Sequence, residues 1–181
     1  MSNEKLTKIE KSWILYDVAN SAFILLVSTT IPIFFRSLAE AEGFSPEQAT
    51  GIWGTVTSVA VIILAVLSPI LGAIADYNGM KKKMFTASLL LGVAGLISLS
   101  VTTEWAAFLV LFVIARIGYT ACNVFYDSML TDITTDEKMD MVSSHGFAWG
   151  YIGSCIPFII GIVLIFTLPF GLTTQAATQL S

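Results

Sequence analysis

The chain has 181 residues, 55% hydrophobic and 12% charged, with a formal net charge of −4 and a mean hydropathy of +0.80. A soluble domain carries roughly twice that charged share, so too few charges remain to coat a globule and the apolar surface must face lipid or other apolar helices. The small negative charge, with no basic run beyond Lys81-Lys82-Lys83, argues against nucleic acid as a partner.

Residues 1–12 are polar and carry Lys5, Lys8 and Lys11 ahead of an apolar run from Trp13 to Phe35. A signal peptide begins in the same way. This run is roughly 34 Å long as a helix at about 1.5 Å per residue, longer than an ordinary signal core. No small-x-small cleavage site follows it before the polar stretch Arg36–Glu47, so it is expected to be a retained first transmembrane helix. Four further runs, 51–75, 84–102, 105–126 and 146–170, are long enough to cross a hydrocarbon core of about 30 Å. Lipid offers no partner for free backbone groups, so these runs have to be helical, and the short linkers make sequential neighbours antiparallel. The expected fold is all-α and integral to the membrane: an antiparallel transmembrane helix bundle of five spans over residues 13–170.

Lys/Arg asymmetry orients the bundle. With the amino terminus inside, Lys5, Lys8, Lys11, Lys81, Lys82, Lys83 and Lys138 are cytoplasmic, Arg36 is outside and Arg116 lies within a span. The acidic inner loop Asp132–Asp140 carries little weight in this rule. Residues 1–12 are therefore expected in the cytoplasm and the polar end 171–181 on the opposite side, with the plasma membrane as the location. Five spans and a tail without cap, charge or further span suggest a chain truncated before a sixth helix. The other reading is a natural five-helix protein.

Ionisable groups inside a span are costly, about 2.5–3.5 kcal/mol each on insertion scales, so each needs a partner or a water-filled cavity. On the first span Asp17, Asn20, Ser21, Ile24 and Ser28 share one face; on the fourth Arg116, Tyr119, Thr120, Asn123 and Asp127 do the same. The two helices run in opposite directions. Read outward from the cytoplasm, Asp17 then Asn20 on one mirrors Asp127 then Asn123 on the other, with Tyr16 and Tyr126 beside the carboxylates. That spacing fits an inverted repeat of the kind transporters use. Arg116 is about 15 Å deep and Asp17 about 6 Å. Near the midplane Arg116 either lines a cavity and binds a carboxylate, or snorkels onto a helix-end carbonyl.

The remaining helices read as packing. Gly51, Gly54 and Ser58, then Ser88, Gly92 and Gly95, then Gly146, Gly150, Gly153, Ser154 and Gly161 are small residues at helical spacing that let backbones approach. Pro157 and Gly161 could soften the last helix. Trp13, Trp53, Trp105 and Trp149 lie near span ends, as interfacial anchors do. His145, the one histidine, is either a proton sensor or a solvated helix-end residue. Cys122 and Cys155 are far apart in apolar runs and no Cys/His spacing suggests zinc, so no metal and no cofactor is expected.

The turn after the second span reads Gly72-Ala-Ile-Ala-Asp76-Tyr-Asn-Gly79-Met80-Lys81-Lys82-Lys83. It resembles the G-x-x-x-D-x-x-G-[RK]-[RK] loop of the major facilitator superfamily, with Met80 in place of one basic residue. Gly72 and Gly79 would permit close helix contact and a tight turn, and Asp76 would sit at a helix end. A narrower resemblance is carried by Trp13-Ile-Leu-Tyr16-Asp17-Val-Ala19-Asn20-Ser21-Ala22, by Asn123-Val-Phe125-Tyr126-Asp127-Ser-Met-Leu130, and by Gly146-Phe-Ala148-Trp-Gly150-Tyr151-Ile-Gly153. These are similar to the bacterial relatives of the vacuolar amino-acid effluxers linked to autophagy. That family more usually has Asn where Asp127 stands and Pro where Thr131 stands. The resemblance implies twelve spans in two six-helix halves, of which this chain would supply five helices of the amino-terminal half and lack the carboxyl-terminal half. It also implies that the first and fourth spans line a central cavity.

The expected function is secondary active transport of small polar solutes, with amino-acid efflux as the candidate and a proton as coupling ion. Asp17 would be the proton-linked carboxylate, Asn20 and Asn123 hydrogen-bonding groups, Arg116 the anion-binding group and Asp127 a further pathway residue. Gly72, Asp76, Gly79 and Lys81–Lys83 would form an inner-gate loop. The alternative is a non-transporting five-helix subunit or assembly factor. An enzyme is not expected: the two Tyr-Asp pairs lack the Gly-x-Gly-Asp partner of intramembrane aspartyl proteases, and no P-loop, HExxH or GxSxG occurs.

Overall fold

In a computed structural model the described residues are 5–171 and 176; residues 1–4 and most of the expected carboxyl end lie outside them. They form six long helices: α1 Lys8–Ser28, α2 Thr30–Ala41, α3 Pro46–Ala75, α4 Met80–Val101, α5 Trp105–Ile133 and α6 Asp136–Thr167, followed by a 3-10 turn at Pro169–Gly171. Among the described residues five helical runs are long and apolar enough to cross a membrane, with α1 and α2 together making one of them. The helices reach beyond the apolar runs. The expected acidic loop Asp132–Asp140 is almost all helix, with only Thr134 and Thr135 between α5 and α6. His145 accordingly stands exposed within α6 rather than at a helix end.

The expected first span is two helices, broken at Thr29. Pro32 has no N–H to give the Ser28 carbonyl, and Thr29-Thr30-Ile31 is a β-branched run that favours helix less than its neighbours do. The Thr29 hydroxyl donates to the Leu25 carbonyl, which closes the last turn of α1 locally. The chain divides into two compact units at this same place. One joins the chain up to Ile31 with the segment from Leu130 onward, and the other spans Pro32–Met129.

In the first unit α1 packs along α6. Trp13 and Asp17 lie beside Gly146, Asp17 and Ser21 beside Gly150, and Val18 beside Gly153. Both sequences advance together, so the two helices are parallel. Ile14, Phe23 and Val142 are buried.

In the second unit α4 and α5 form an antiparallel ladder. Lys81 Nζ donates to the Ser128 carbonyl at 2.9 Å, Cys122 Sγ lies 3.8 Å from the Phe85 carbonyl, Gly92 meets Gly118 and Gly95 meets Ala115. A Cβ placed on Gly118 would stand 2.5 Å from the Gly92 backbone nitrogen. The helices therefore touch backbone to backbone, a contact only glycine allows. At the far end of the unit an aromatic cluster gathers α2, α3 and α5. Phe35 lies 5.6 Å from Trp53 and 6.2 Å from Phe108, Phe34 lies 5.4 Å from Phe108, and Trp53 lies 4.5 Å from Phe112, all between ring centroids. Trp53 is half-buried within this cluster. Gly51 and Gly54 are exposed with nothing within 4 Å of an added Cβ, so their expected packing role is not met by the described residues.

Gly118→Val is expected to cost about 1–3 kcal/mol by overpacking the α4–α5 contact, whereas Gly54→Ala should leave stability unchanged or slightly raised. Melting temperatures of the purified variants in detergent check both. Equal melting of Gly118→Val and wild type would contradict the close contact.

Candidate functional site

In the first unit the polar stripe of α1 meets a stripe without side chains. A Cβ on Gly150 would lie 2.7 Å from Ser21 Oγ and 3.1 Å from Asp17 Oδ2. The half-buried Asp17 carboxylate therefore lies close over the α6 backbone, where a side chain at position 150 would force Ser21 and Asp17 to shift. The Asn20 side chain hydrogen-bonds the Asp17 carboxylate; its amide is the donor, because a carboxylate only accepts. Its own Oδ1 is shielded from solvent and has no hydrogen-bond partner among the described residues. Asp17, Asn20 and Ser21 thus form a polar patch on one helix face, closed on one side by glycine.

In the second unit α5 carries the other predicted residues. Arg116 Nε and Asn123 Oδ1 are both buried and both lack a hydrogen-bond partner among the described residues. Seven residues apart, they lie on one face of α5 about 10.5 Å apart along its axis. One is a donor and the other an acceptor. Asp127, one turn further on, is exposed, while the neighbouring Tyr126 is buried. The mirrored Asp-Asn spacing of the sequence therefore places its two carboxylates in unlike surroundings: Asp17 is half-buried and Asp127 open.

The inner-gate loop follows its residues closely. Asp76 is exposed and directly follows α3 as its C-cap. Gly79 is the N-cap of α4 with φ 74°, a left-handed conformation that glycine adopts without strain. Lys81 is the half-buried lysine, held on the Ser128 carbonyl near the end of α5, where the helix dipole favours a cation. Lys82 and Lys83 are exposed. Gly72 departs from expectation: a Cβ there would meet nothing within 4 Å, so it makes no close helix contact among the described residues.

Two residues were not foreseen. Glu10, at 2% exposure, accepts the Thr7 backbone N–H at 2.6 Å with one oxygen and the Thr134 hydroxyl at 2.8 Å with the other, while the Thr7 hydroxyl accepts the Glu10 N–H at 3.2 Å. It caps α1 and ties it to the α5–α6 turn. The Thr-x-x-Glu spacing of a capping box was the available signal. Thr57 on α3 also has a buried, unpartnered hydroxyl, for which the sequence holds no signal.

Five runs of helix long and apolar enough to cross a membrane, among the described residues, define a polytopic membrane protein. A family model described as "Vacuole effluxer Atg22 like" matches residues 7–179, and the chain belongs to that family. It is 43% identical over 186 residues to an uncharacterized MFS-type transporter, YxiO, of Bacillus subtilis (strain 168), covering 98% of this chain and 43% of the relative. It is 30% identical over 148 residues to an uncharacterized protein of Aquifex aeolicus (strain VF5), covering 80% of this chain and 36% of the relative. The chain thus spans less than half the length of either. No solved structure matches it.

Thr134→Val removes one bond from a buried carboxylate and is expected to cost about 1–3 kcal/mol, with Thr134→Ser close to wild type. Thermal melting of the two variants checks this. A Thr134→Val protein that melts with wild type would show that the Glu10 tie contributes nothing.

Proposed function

We propose that this chain is the solute-handling amino-terminal part of a secondary active transporter of small polar solutes, with amino acids as the solute class and efflux as the direction. The observation that carries the reading is the pair of buried, unpartnered polar atoms on one face of α5, Arg116 Nε and Asn123 Oδ1. A donor and an acceptor kept dry and unpaired inside apolar helices are costly, and a solute that supplies both partners would offset that cost. Membership of the vacuole effluxer-like family and the likeness to an MFS-type transporter support the same class.

In this reading Arg116 binds a carboxylate of the solute, and Asn123 and Asn20 supply hydrogen bonds. Asp17 takes up and releases the coupling proton, and Asp127 belongs to the polar pathway. Gly72, Asp76, Gly79 and Lys81–Lys83 act at the inner gate as the transporter alternates access. The amino terminus lies in the cytoplasm and the membrane is the plasma membrane.

Proteoliposomes carrying the full-length transporter test the reading. Arg116→Ala is expected to insert normally and lower amino-acid transport at least tenfold. Asp17→Asn is expected to retain solute exchange at equal pH and lose acceleration by a pH gradient. Wild-type transport by Arg116→Ala would refute the anion-binding role, and gradient-driven transport by Asp17→Asn would refute the proton role.

A further inference from the structure

A hydroxyl on an apolar helix ordinarily settles by donating to the carbonyl one turn back. On α3 four do so: Thr50 to Pro46 at 2.8 Å, Thr55 to Gly51 at 2.9 Å, Ser58 to Gly54 at 2.8 Å and Ser68 to Leu64 at 2.8 Å. Thr57 does not. Its Oγ1 is shielded from solvent and has no hydrogen-bond partner among the described residues. A buried hydroxyl that forgoes its own helix carbonyl has lost a bond that something else must restore.

The place of Thr57 in the unit shows what it stands beside. α3 and α5 run parallel, because each is joined to α4 by a short turn and folds back along it, and because ring contacts advance together, from Phe44, just before α3, against Trp105 to Trp53 against Phe112. Thr57 is one turn beyond Trp53, and Arg116 is one turn beyond Phe112. Each step is about 6 Å along its own helix, so Thr57 and Arg116 each stand one turn past the Trp53–Phe112 contact and close to the face that makes it. Arg116 Nε is buried and unpartnered in its turn. A hydroxyl and a guanidinium N–H, both shielded and both unmet among the described residues, thus follow the same ring contact by one turn.

We infer that Thr57 is a second ligand, beside Arg116, for a monocarboxylate bound next to this contact. The inference rests on the reading of Arg116 as the anion-binding group and adds the residue that completes it. A carboxylate has two oxygens and about four lone-pair sites, so a guanidinium N–H can meet one oxygen while the threonine hydroxyl donates to the other. Water could accept these bonds, but a carboxylate accepts them and also balances the guanidinium charge. One guanidinium balances one negative charge, which favours a monocarboxylate over a dianionic phosphate. The Trp53–Phe112 contact lies one turn away and offers an apolar wall for the carbon end of the ligand.

The test is binding rather than transport. Purified protein in detergent is titrated at fixed ionic strength with propionate, L-alanine and L-alaninamide, which lacks the carboxylate, and affinity is read by calorimetry. Propionate and L-alanine are expected to bind wild type and L-alaninamide is not. Thr57→Val should weaken propionate about tenfold or more, as loss of a hydrogen bond to a charged group does. It should not lower the melting temperature of the unliganded protein, because the hydroxyl it removes has no partner there. Thr57→Ser should stay within about threefold of wild type. Unaltered propionate affinity in Thr57→Val would overturn the inference, as would wild type that binds neither carboxylate or binds L-alaninamide equally well. Transport of a solute without a carboxylate by the full-length protein would overturn this inference and leave the transport reading in place. Carboxylate binding without transport of any solute would do the reverse.

Discussion

A polar atom inside an apolar helix bundle has three outcomes: it bonds to its own helix, it bonds across a contact, or it stays unmet at a cost of about 1–3 kcal/mol. Many of the described hydroxyls take the first course, as Thr55, Ser58, Thr86 and Thr167 do on the carbonyl one turn back. Lys81 and Thr134 take the second, reaching Ser128 and Glu10 across long stretches of sequence. Among the described residues Asn20 Oδ1, Thr57 Oγ1, Arg116 Nε and Asn123 Oδ1 take neither. Leucine or valine at these positions would carry no such penalty, and a further partner would remove it, which is the physical basis for reading function here.

The second constraint is how close two helices can come. Where α4 meets α5 and where α1 meets α6, glycine lets backbones or a carboxylate occupy the space a side chain would fill. The consequences differ. At Gly92 and Gly118 the contact is backbone on backbone and serves packing alone. At Gly150 it sets a polar patch, Asp17 and Ser21, against the α6 backbone, so one glycine both closes a helix pair and shapes the surroundings of an ionisable group.

Much of this was legible in the sequence. Hydropathy marked the long helices, and Gly92, Gly95, Gly146, Gly150 and Gly153 marked two close pairs because small residues at helical spacing have few other uses in an apolar run. Gly79 was legible because a turn with φ near 74° selects glycine. The break at Thr29 was not, since hydropathy is continuous across it and only Pro32 and the β-branched run before it disclose it. Gly51 and Gly54 look like Gly92 in sequence yet lie exposed, because spacing identifies a face able to pack without naming what packs on it. The environments of Asp17 and Asp127 were likewise beyond the pattern: equal spacing from an asparagine fixes a helix face, and burial is decided by the neighbouring helix.

Thr57 shows why part of a binding seam stays invisible to periodicity. A threonine on an apolar helix is unremarkable, because bonding to its own helix hides its polarity from the bundle. Only when that bond is absent does the residue acquire a chemical role, and absence of a bond is a property of rotamer and neighbour. The aromatic contact supplies the neighbour. Trp53 against Phe112 joins α3 to α5, and each helix carries an unmet donor one turn past that contact. The same apolar contact lowers the local dielectric beside Arg116 and Thr57, where a hydrogen bond to a charged group gains most and an unpaired one costs most. Packing and polarity are therefore coupled here: the rings that join α3 to α5 stand one turn from both unmet donors.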